Sequence, residues 1–249
     1  MIDQEILELL RVEARRLNSE MVVLDLGCGR STRTRLILEQ LPSVRLGLVD
    51  HNQEALAFQR RLLQGMEGRV RFIQADLNRA ELSRYWSEPV QAVLLTEVLE
   101  HLEDPGHLVW QVASLLRPQR MLVVSVPVGW TDKLMRWFNP RSMRSEDGQR
   151  GHHKFYTRET LLGLLQEADF RTIQCGLRHS RYFAYHLVLN LFRVPIDQDT
   201  GEVQPSTGKD RLASRLAAAA AWVVGRPVLS RILDHLVPRN YFVIARRGP

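Results

Sequence analysis

The sequence predicts an α/β protein, a doubly wound, mostly parallel seven-stranded sheet with helices on both faces. Three observations carry that expectation. From Met21 onward, short apolar runs alternate with segments of helical period, the pattern of parallel strands joined by helical crossovers. The first run, Met21-Val22-Val23-Leu24-Asp25-Leu26, breaks at Gly27-Cys28-Gly29 and resumes as a helical pattern behind Ser31-Thr32. Glycines at such a turn let backbone approach a ligand that side chains would block. Finally, acidic residues stand at four successive strand ends, Asp25, Asp50, Asp76 and Glu97, and the carboxyl ends of strands are where such sheets collect ligands.

The elements follow in order. Residues 1–20 read as an N-terminal helix, with Ile6, Leu7, Leu9, Leu10, Val12 and Leu17 on one face and Asn18-Ser19-Glu20 as the stop. The run from Met21 is apolar enough to be a strand buried on both faces. Leu36, Ile37, Leu38 and Leu41 mark the next helix, which Pro42 ends. A second strand over 44–49 leads to Asp50-His51-Asn52, and a helix carrying Ala55, Leu56, Phe58, Leu62 and Leu63 closes at Gly65 and Gly68. Strands are expected over 70–73 and 90–95. Pro105 then opens a helix through Leu115, at a first position where the N–H it lacks has no helical partner anyway. Strands over 121–126, 170–176 and 240–246 complete the sheet. The whole chain, 1–249, is expected to be one domain, with a cofactor-binding core over 21–180 and a helical insertion over 181–238.

With 249 residues, 45% hydrophobic and 25% charged, the composition is that of an ordinary globular chain. A net charge of +6 permits an anionic partner, but the arginines are dispersed and no RNA-binding module is recognisable, which argues against nucleic acid. Two lone cysteines, Cys28 and Cys175, suit reduced thiols rather than a disulfide framework. The acidic start Ile2-Asp3-Gln4-Glu5 is unlike a secretory signal, and no apolar run is long enough to be a transmembrane segment. A cytoplasmic location is expected.

Two ligand classes compete at the glycine turn. A dinucleotide fingerprint needs Gly-x-Gly-x-x-Gly, the third glycine allowing tight packing above a pyrophosphate, and that position is Thr32. Asp25, just before the turn, repels a pyrophosphate and attracts an ammonium group. The balance favours S-adenosylmethionine, which carries an ammonium and a sulfonium and no phosphate. Gly27, Cys28 and Gly29 would then lie against it. Asp50, about 20 residues beyond the turn, is placed to accept both ribose hydroxyls, with His51 beside the adenine. Asp76 can accept from the adenine amino group with Leu77 against the ring, and Glu97 completes the set. Any one of these acids reads equally well as a loop residue; four at successive strand ends argue for a site.

This stretch resembles motif I of the class I S-adenosylmethionine-dependent methyltransferases, Asp/Glu-x-Gly-x-Gly-x-Gly, with Ser31 in place of the last glycine. Glu97-Val98-Leu99-Glu100-His101-Leu102-Glu103-Asp104-Pro105 is similar to a segment after the fourth strand in the ubiquinone-biosynthesis O-methyltransferase-like small-molecule group. Gly151-His152-His153-Lys154-Phe155-Tyr156-Thr157 is similar to the stretch that opens their helix before the sixth strand. The resemblance covers residues 21 to about 170 and implies a Rossmann-like core, S-adenosylmethionine as donor, S-adenosylhomocysteine as product and a small-molecule acceptor. Arg117-Pro118-Gln119-Arg120 departs from the usual Pro-Gly-Gly, in a turn expected to lie far from the chemistry.

Methyl transfer is an in-line displacement, so alignment of donor and acceptor supplies much of the rate. An oxygen acceptor gains further from a base or a metal. Glu97, Glu100 and His101 stand at i, i+3 and i+4 and share a face if the segment is helical; His152 or His153 can join them from the loop after the fifth strand. Glu97, Glu100, His101 and His153 suit a divalent ion, and similar sets are metal ligands in small-RNA 2′-O-methyltransferases. The preferred expectation is no metal, with His101 and His153 as candidate bases.

Residues 128–154 are long for a connection, and long loops in compact domains are commonly lids. Within the insertion, 197–210 is polar and turn-rich, which suggests mobility. Behind it, Leu212, Leu216, Trp222, Val223, Leu229, Ile232, Leu233 and Leu236 alternate with Arg211, Arg215, Arg226 and Arg231. Core-facing packing is the first expectation for 211–236; peripheral membrane contact, or a roof over a greasy acceptor pocket bordered by Tyr182-Phe183-Ala184-Tyr185-His186, is the other. The functional expectation is O-methylation of a small apolar or amphipathic acceptor. The alternatives are a metal-dependent RNA 2′-O-methyltransferase and a non-catalytic S-adenosylmethionine-binding protein.

Overall fold

The computed structural model describes residues 2–131, 133, 154–178, 180–192, 194, 207–224, 232, 234 and 238–249. Its elements are α1 (Ile2–Leu17), β1 (Met21–Leu26), α2 (Arg33–Gln40), β2 (Val44–Asp50), α3 (Gln53–Leu62), β3 (Val70–Gln74), α4 (Leu82–Tyr85), β4 (Val90–Thr96), α5 (Pro105–Leu115), β5 (Leu116–Pro127), α6 (Arg158–Glu167), β6 (Phe170–Arg178), α7 (Ser180–Leu191), α8 (Gly208–Val224) and β7 (Asn240–Arg247). One seven-stranded sheet runs in the order β3-β2-β1-β4-β5-β7-β6. The pairs β1–β2, β1–β4, β2–β3 and β4–β5 are parallel, as the uninterrupted apolar strands and helical crossovers require. All six β1 residues are buried. The strand order reverses between β1 and β4, and the carboxyl ends of strands at such a switch point are where sheets of this kind bind ligands.

Two details depart from the sequence pattern. β5 begins at Leu116 rather than 121, because Arg117-Pro118-Gln119-Arg120, read as a turn, is an irregular start to the strand. The register slips between Val90 and Ala92 on β4 to absorb it, and Gln119 takes φ +64°. The short α4 was not anticipated, and Trp86 just beyond it packs against Gly47: a Cβ there would stand 2.5 Å from the indole and from Leu24.

The chain divides into two compact units, Met1–Ser125 with Glu159–Cys175 and Val243–Pro249, and Val126–Arg158 with Gly176–Phe242. In the first, the inner face of α1 carries a buried carboxylate. Glu13 accepts from Arg16 Nη2 at 2.5 Å and from Arg246 Nη2 at 2.8 Å, with Arg120 Nη1 3.8 Å away. Burial raises the Glu13 carboxyl, but hydrogen bonds from Arg246 and Arg16 outweigh that and hold it below its ordinary 4.5. A depressed folded-state value adds stability above the unfolded value, and that stability is lost as pH falls through the folded one. Glu13→Gln is therefore expected to lower Tm by about 5 °C near neutrality, from charge-assisted hydrogen bonds of roughly 1.5–3 kcal/mol. The difference from wild type should shrink as pH drops below 4.5; a gap unchanged down to acid pH in parallel melts would contradict the assignment.

In the second unit α7 packs on α8. Leu189, Val194, Ala213 and Ala217 form the buried cluster, with Tyr185 and Val188 against it. Thr207 and Asp210 cap α8 reciprocally: Asp210 N donates to Thr207 Oγ1 at 3.1 Å and Thr207 N to Asp210 Oδ2 at 2.9 Å, a capping-box arrangement. The polar stretch 197–210 thus ends in an ordered helix start, and 197–206 lies outside the described residues. The core-facing expectation for 211–236 is overturned where the chain is described. Leu212, Leu216, Trp222, Val223 and Ile232 are exposed, and the alanines at 213, 217 and 221 are buried instead, because small side chains at i, i+4 and i+8 let two helices approach closely. Leu229, Leu233, Leu236, Arg226 and Arg231 lie outside the described residues, as does 134–153 of the expected lid. Among the described residues no helix is long and apolar enough to cross a membrane.

Candidate functional site

The site is built from the glycine turn outward. Gly27 has φ +71° and Gly29 φ +54°, a region strained for residues with a Cβ. A Cβ on Gly27 would meet Val98 Cγ2 at 2.6 Å, whereas one on Gly29 would meet nothing within 4 Å. Gly27 is therefore required by close packing, and Gly29 presents open backbone. The turn is docked on β2 by Gly27 N and Cys28 N, which donate to Val49 O at 2.7 and 3.1 Å.

Asp50, at the end of β2, is the residue the turn closes on. Gly29 N donates to Asp50 Oδ2 at 2.8 Å and Asn52 N to Oδ1 at 2.8 Å. A carboxylate has about four lone-pair positions, so each oxygen keeps one for further donors. His51 is largely exposed with Nδ1 3.5 Å from Asp50 Oδ1. Asn52 caps α3 by accepting from Glu54 N and Ala55 N.

Two further residues hold this geometry. The buried Gln59 amide of α3 donates to Gly29 O and Ser31 O, both at 2.9 Å, and accepts from Thr34 Oγ1 at 2.7 Å. It staples the turn to α2 and α3. Its sequence signal was a polar residue on the face otherwise made by Ala55, Leu56 and Leu63, since an inward polar group must find partners. Arg33, the first residue of α2, is the other. Arg33 Nη2 donates to Asp25 Oδ2 at 2.9 Å, Asp25 Oδ1 at 3.2 Å and Thr96 Oγ1 at 2.9 Å, and Nη1 reaches Asp3 Oδ1 of α1 at 3.3 Å.

Asp25, expected beside an ammonium group, is held by Arg33. It is 1% exposed, and both its oxygens accept from Arg33 Nη2. Burial pushes the Asp25 carboxyl above its ordinary value, with Arg33 opposing part of the rise. Burial alone would lower Arg33, but the carboxylates of Asp25 and Asp3 more than offset it, so the guanidinium stays cationic. Cys28 is buried, and that burial, helped by Asp25 and Asp50, pushes its thiol far up. It is a neutral packing group.

Asp76 lies just past β3. Asn78 N donates to its Oδ1 at 2.9 Å, an Asx turn, and Ala75 N donates to Asp50 O at 3.0 Å, which keeps the ends of β2 and β3 together. Leu77 is buried and the Asp76 side chain half-exposed. Glu97, past β4, takes φ +57° and accepts from Ser125 Oγ at 2.9 Å.

Glu97, Glu100 and His101 do not share an α-helical face. Only Leu99–His101 is helical, as a single 3₁₀ turn; Glu97, in the left-handed region, precedes it exposed, Glu100 points inward and His101 is half-buried. With three residues per turn and a break at Glu97, the i, i+3, i+4 argument does not apply. His152 and His153 lie outside the described residues, and among the described residues no group of three or more His, Cys, Asp or Glu is arranged to hold a metal ion.

A mostly parallel sheet with this strand order, an open glycine turn at its switch point and a carboxylate closing the turn from the next strand define a class I S-adenosylmethionine-dependent methyltransferase. Residues 2–175 match the methyltransferase domain family, and the chain belongs to it; the family's donor is S-adenosylmethionine. The chain is 32% identical over 143 residues to trans-aconitate 2-methyltransferase of Escherichia coli O9:H4 (strain HS), covering 54% of this chain and 52% of that protein. It thus spans about half the length of the curated relatives it matches. Among solved structures it is similar to the [4+2]-cyclase SpnF, with TM-score 0.60 and 18% identity over 98% of this chain and 82% of that one. It is also similar to Burkholderia thailandensis 1,6-didemethyltoxoflavin-N1-methyltransferase with bound 1,6-didemethyltoxoflavin and S-adenosylhomocysteine, with TM-score 0.54 and 18% identity over 96% and 76%. Both likenesses are of fold.

Proposed function

We propose that this chain transfers a methyl group from S-adenosylmethionine to oxygen on a small apolar or amphipathic acceptor, without a metal. The observation that carries the donor half is the pairing of Gly29 N with Asp50 Oδ2 at 2.8 Å beside a glycine face with nothing above it. That arrangement leaves a carboxylate able to accept two ribose hydroxyls next to backbone a nucleoside can approach. The residues present fit the donor on this ground. When bound, it supplies an already activated sulfonium methyl, and the chain's own residues align the partners. Asp50 orients the ribose, Gln59 keeps the turn in shape, and Asp76 with Leu77 borders the adenine.

His101 is the base we assign among the described residues: half-buried past the end of β4, its imidazole can accept a proton from an acceptor hydroxyl. His153 is the second candidate. The name of the relative from Escherichia coli supports an acceptor of small-molecule size, and a carboxylate oxygen belongs in the panel on that account. The test is tritiated S-adenosylmethionine with phenols, hydroxyalkyl compounds and small carboxylic acids, with and without EDTA. Label in one acceptor class, insensitive to EDTA, is the expected result. Donor binding with no transfer to any acceptor would favour a non-catalytic binding protein. Loss of transfer in EDTA with rescue by magnesium would overturn the metal-free reading.

A further inference from the structure

We propose that the outward face of α8 docks on an anionic lipid surface. The helix turns Ala213, Ala217 and Ala221 inward, which leaves Leu212 57% exposed, Leu216 45% and Val223 46%. Spacings of four and seven residues put these three on one stripe, with Trp222, 66% exposed, at its edge. A helix docked through its large apolar residues would bury this stripe and expose the alanines; α8 does the reverse.

Charge selects the occupant. Within 208–224 the basic residues are Lys209, Arg211 and Arg215, all exposed, and the one acid, Asp210, is buried in the cap with Thr207. The outward face therefore presents three cations beside an apolar stripe and no carboxylate. A helix of this kind lies in the plane of a bilayer interface, with aliphatic side chains at the acyl boundary and cations among the headgroup phosphates. Arginine and lysine stems reach outward along the helix to do so, and an indole favours that depth. A second copy of the same face would instead bring like charges together.

The experiment is co-sedimentation of the full chain with vesicles of phosphatidylglycerol and phosphatidylcholine, against pure phosphatidylcholine. Wild type is expected to bind the anionic vesicles and to lose that binding in high salt. Lys209→Glu/Arg211→Glu/Arg215→Glu should weaken it by at least about tenfold, and Leu212→Ser/Leu216→Ser should weaken it independently of salt. Unchanged helix content by circular dichroism and unchanged Tm show that each variant is folded, and because vesicle binding precedes any methyl transfer, failure here is separable from failure of the proposed activity. Equal binding to neutral and anionic vesicles, no binding to either, or self-association without lipid that Leu212→Ser/Leu216→Ser abolishes would overturn the proposal.

Discussion

Asp50→Ala is expected to weaken S-adenosylhomocysteine binding by at least about 100-fold, because two hydrogen bonds to a charged acceptor are worth roughly 1.5–3 kcal/mol each and 1.4 kcal/mol is a factor of ten. The loss has two sources: the ribose acceptor disappears, and Gly29 N and Asn52 N lose their partner. Asp50→Asn is a milder test of the same site. The amide keeps one acceptor oxygen and turns a donor toward either Gly29 N or Asn52 N, so it removes one backbone contact and one hydroxyl acceptor, and its loss should be smaller than that of Asp50→Ala. Calorimetric titration of both variants is the check, and affinity within a factor of three of wild type would discard the assignment.

The second large effect is on stability. Arg33→Met leaves Asp25, 1% exposed, without its guanidinium, and breaking a buried pair by removing one partner costs about 3–5 kcal/mol, or roughly 10 °C in Tm for a domain of this size. The double variant Asp25→Leu/Arg33→Met removes the stranded charge and should recover most of the loss, since apolar replacement of a buried pair is often neutral. The pH dependence has a definite sign. Burial already raises Asp25 in the native state, and without Arg33 it rises further. A raised folded-state value gives stability that is present below the unfolded value and lost as pH rises through the folded one. Arg33→Met should therefore be least impaired in acid and most impaired near pH 8. A melt indistinguishable from wild type, or strictly additive single and double variants, would show that the pair is not coupled.

Much of the fold was legible because its signals are local. Buried parallel strands read as apolar runs, Pro105 marks a helix start that is found where expected, and the glycine turn reads as backbone under constraint. The strand-end acids were found by position, but their partners were not. Nothing periodic links Asp25 to Arg33, Asp50 to Gly29 N or Gln59 to the turn carbonyls; each contact spans separate elements and exists only once the sheet is wound. The same limit explains α8. Hydrophobic spacing shows that a stripe exists but not which side meets protein, and here close helix contact placed the alanines inward and the leucines outward. The α-helical face expected to join Glu97, Glu100 and His101 is absent for a local reason, a left-handed residue followed by a single 3₁₀ turn.

The central claim is that a sulfonium nucleoside lies against Gly29 with its ribose on Asp50. A crystal structure grown with S-adenosylhomocysteine tests it most directly. Both ribose hydroxyls should stand within hydrogen-bond distance of the Asp50 carboxylate, with the adenine between His51 and Leu77. A nucleoside bound elsewhere, or at the turn with its ribose turned away from Asp50, would contradict the account.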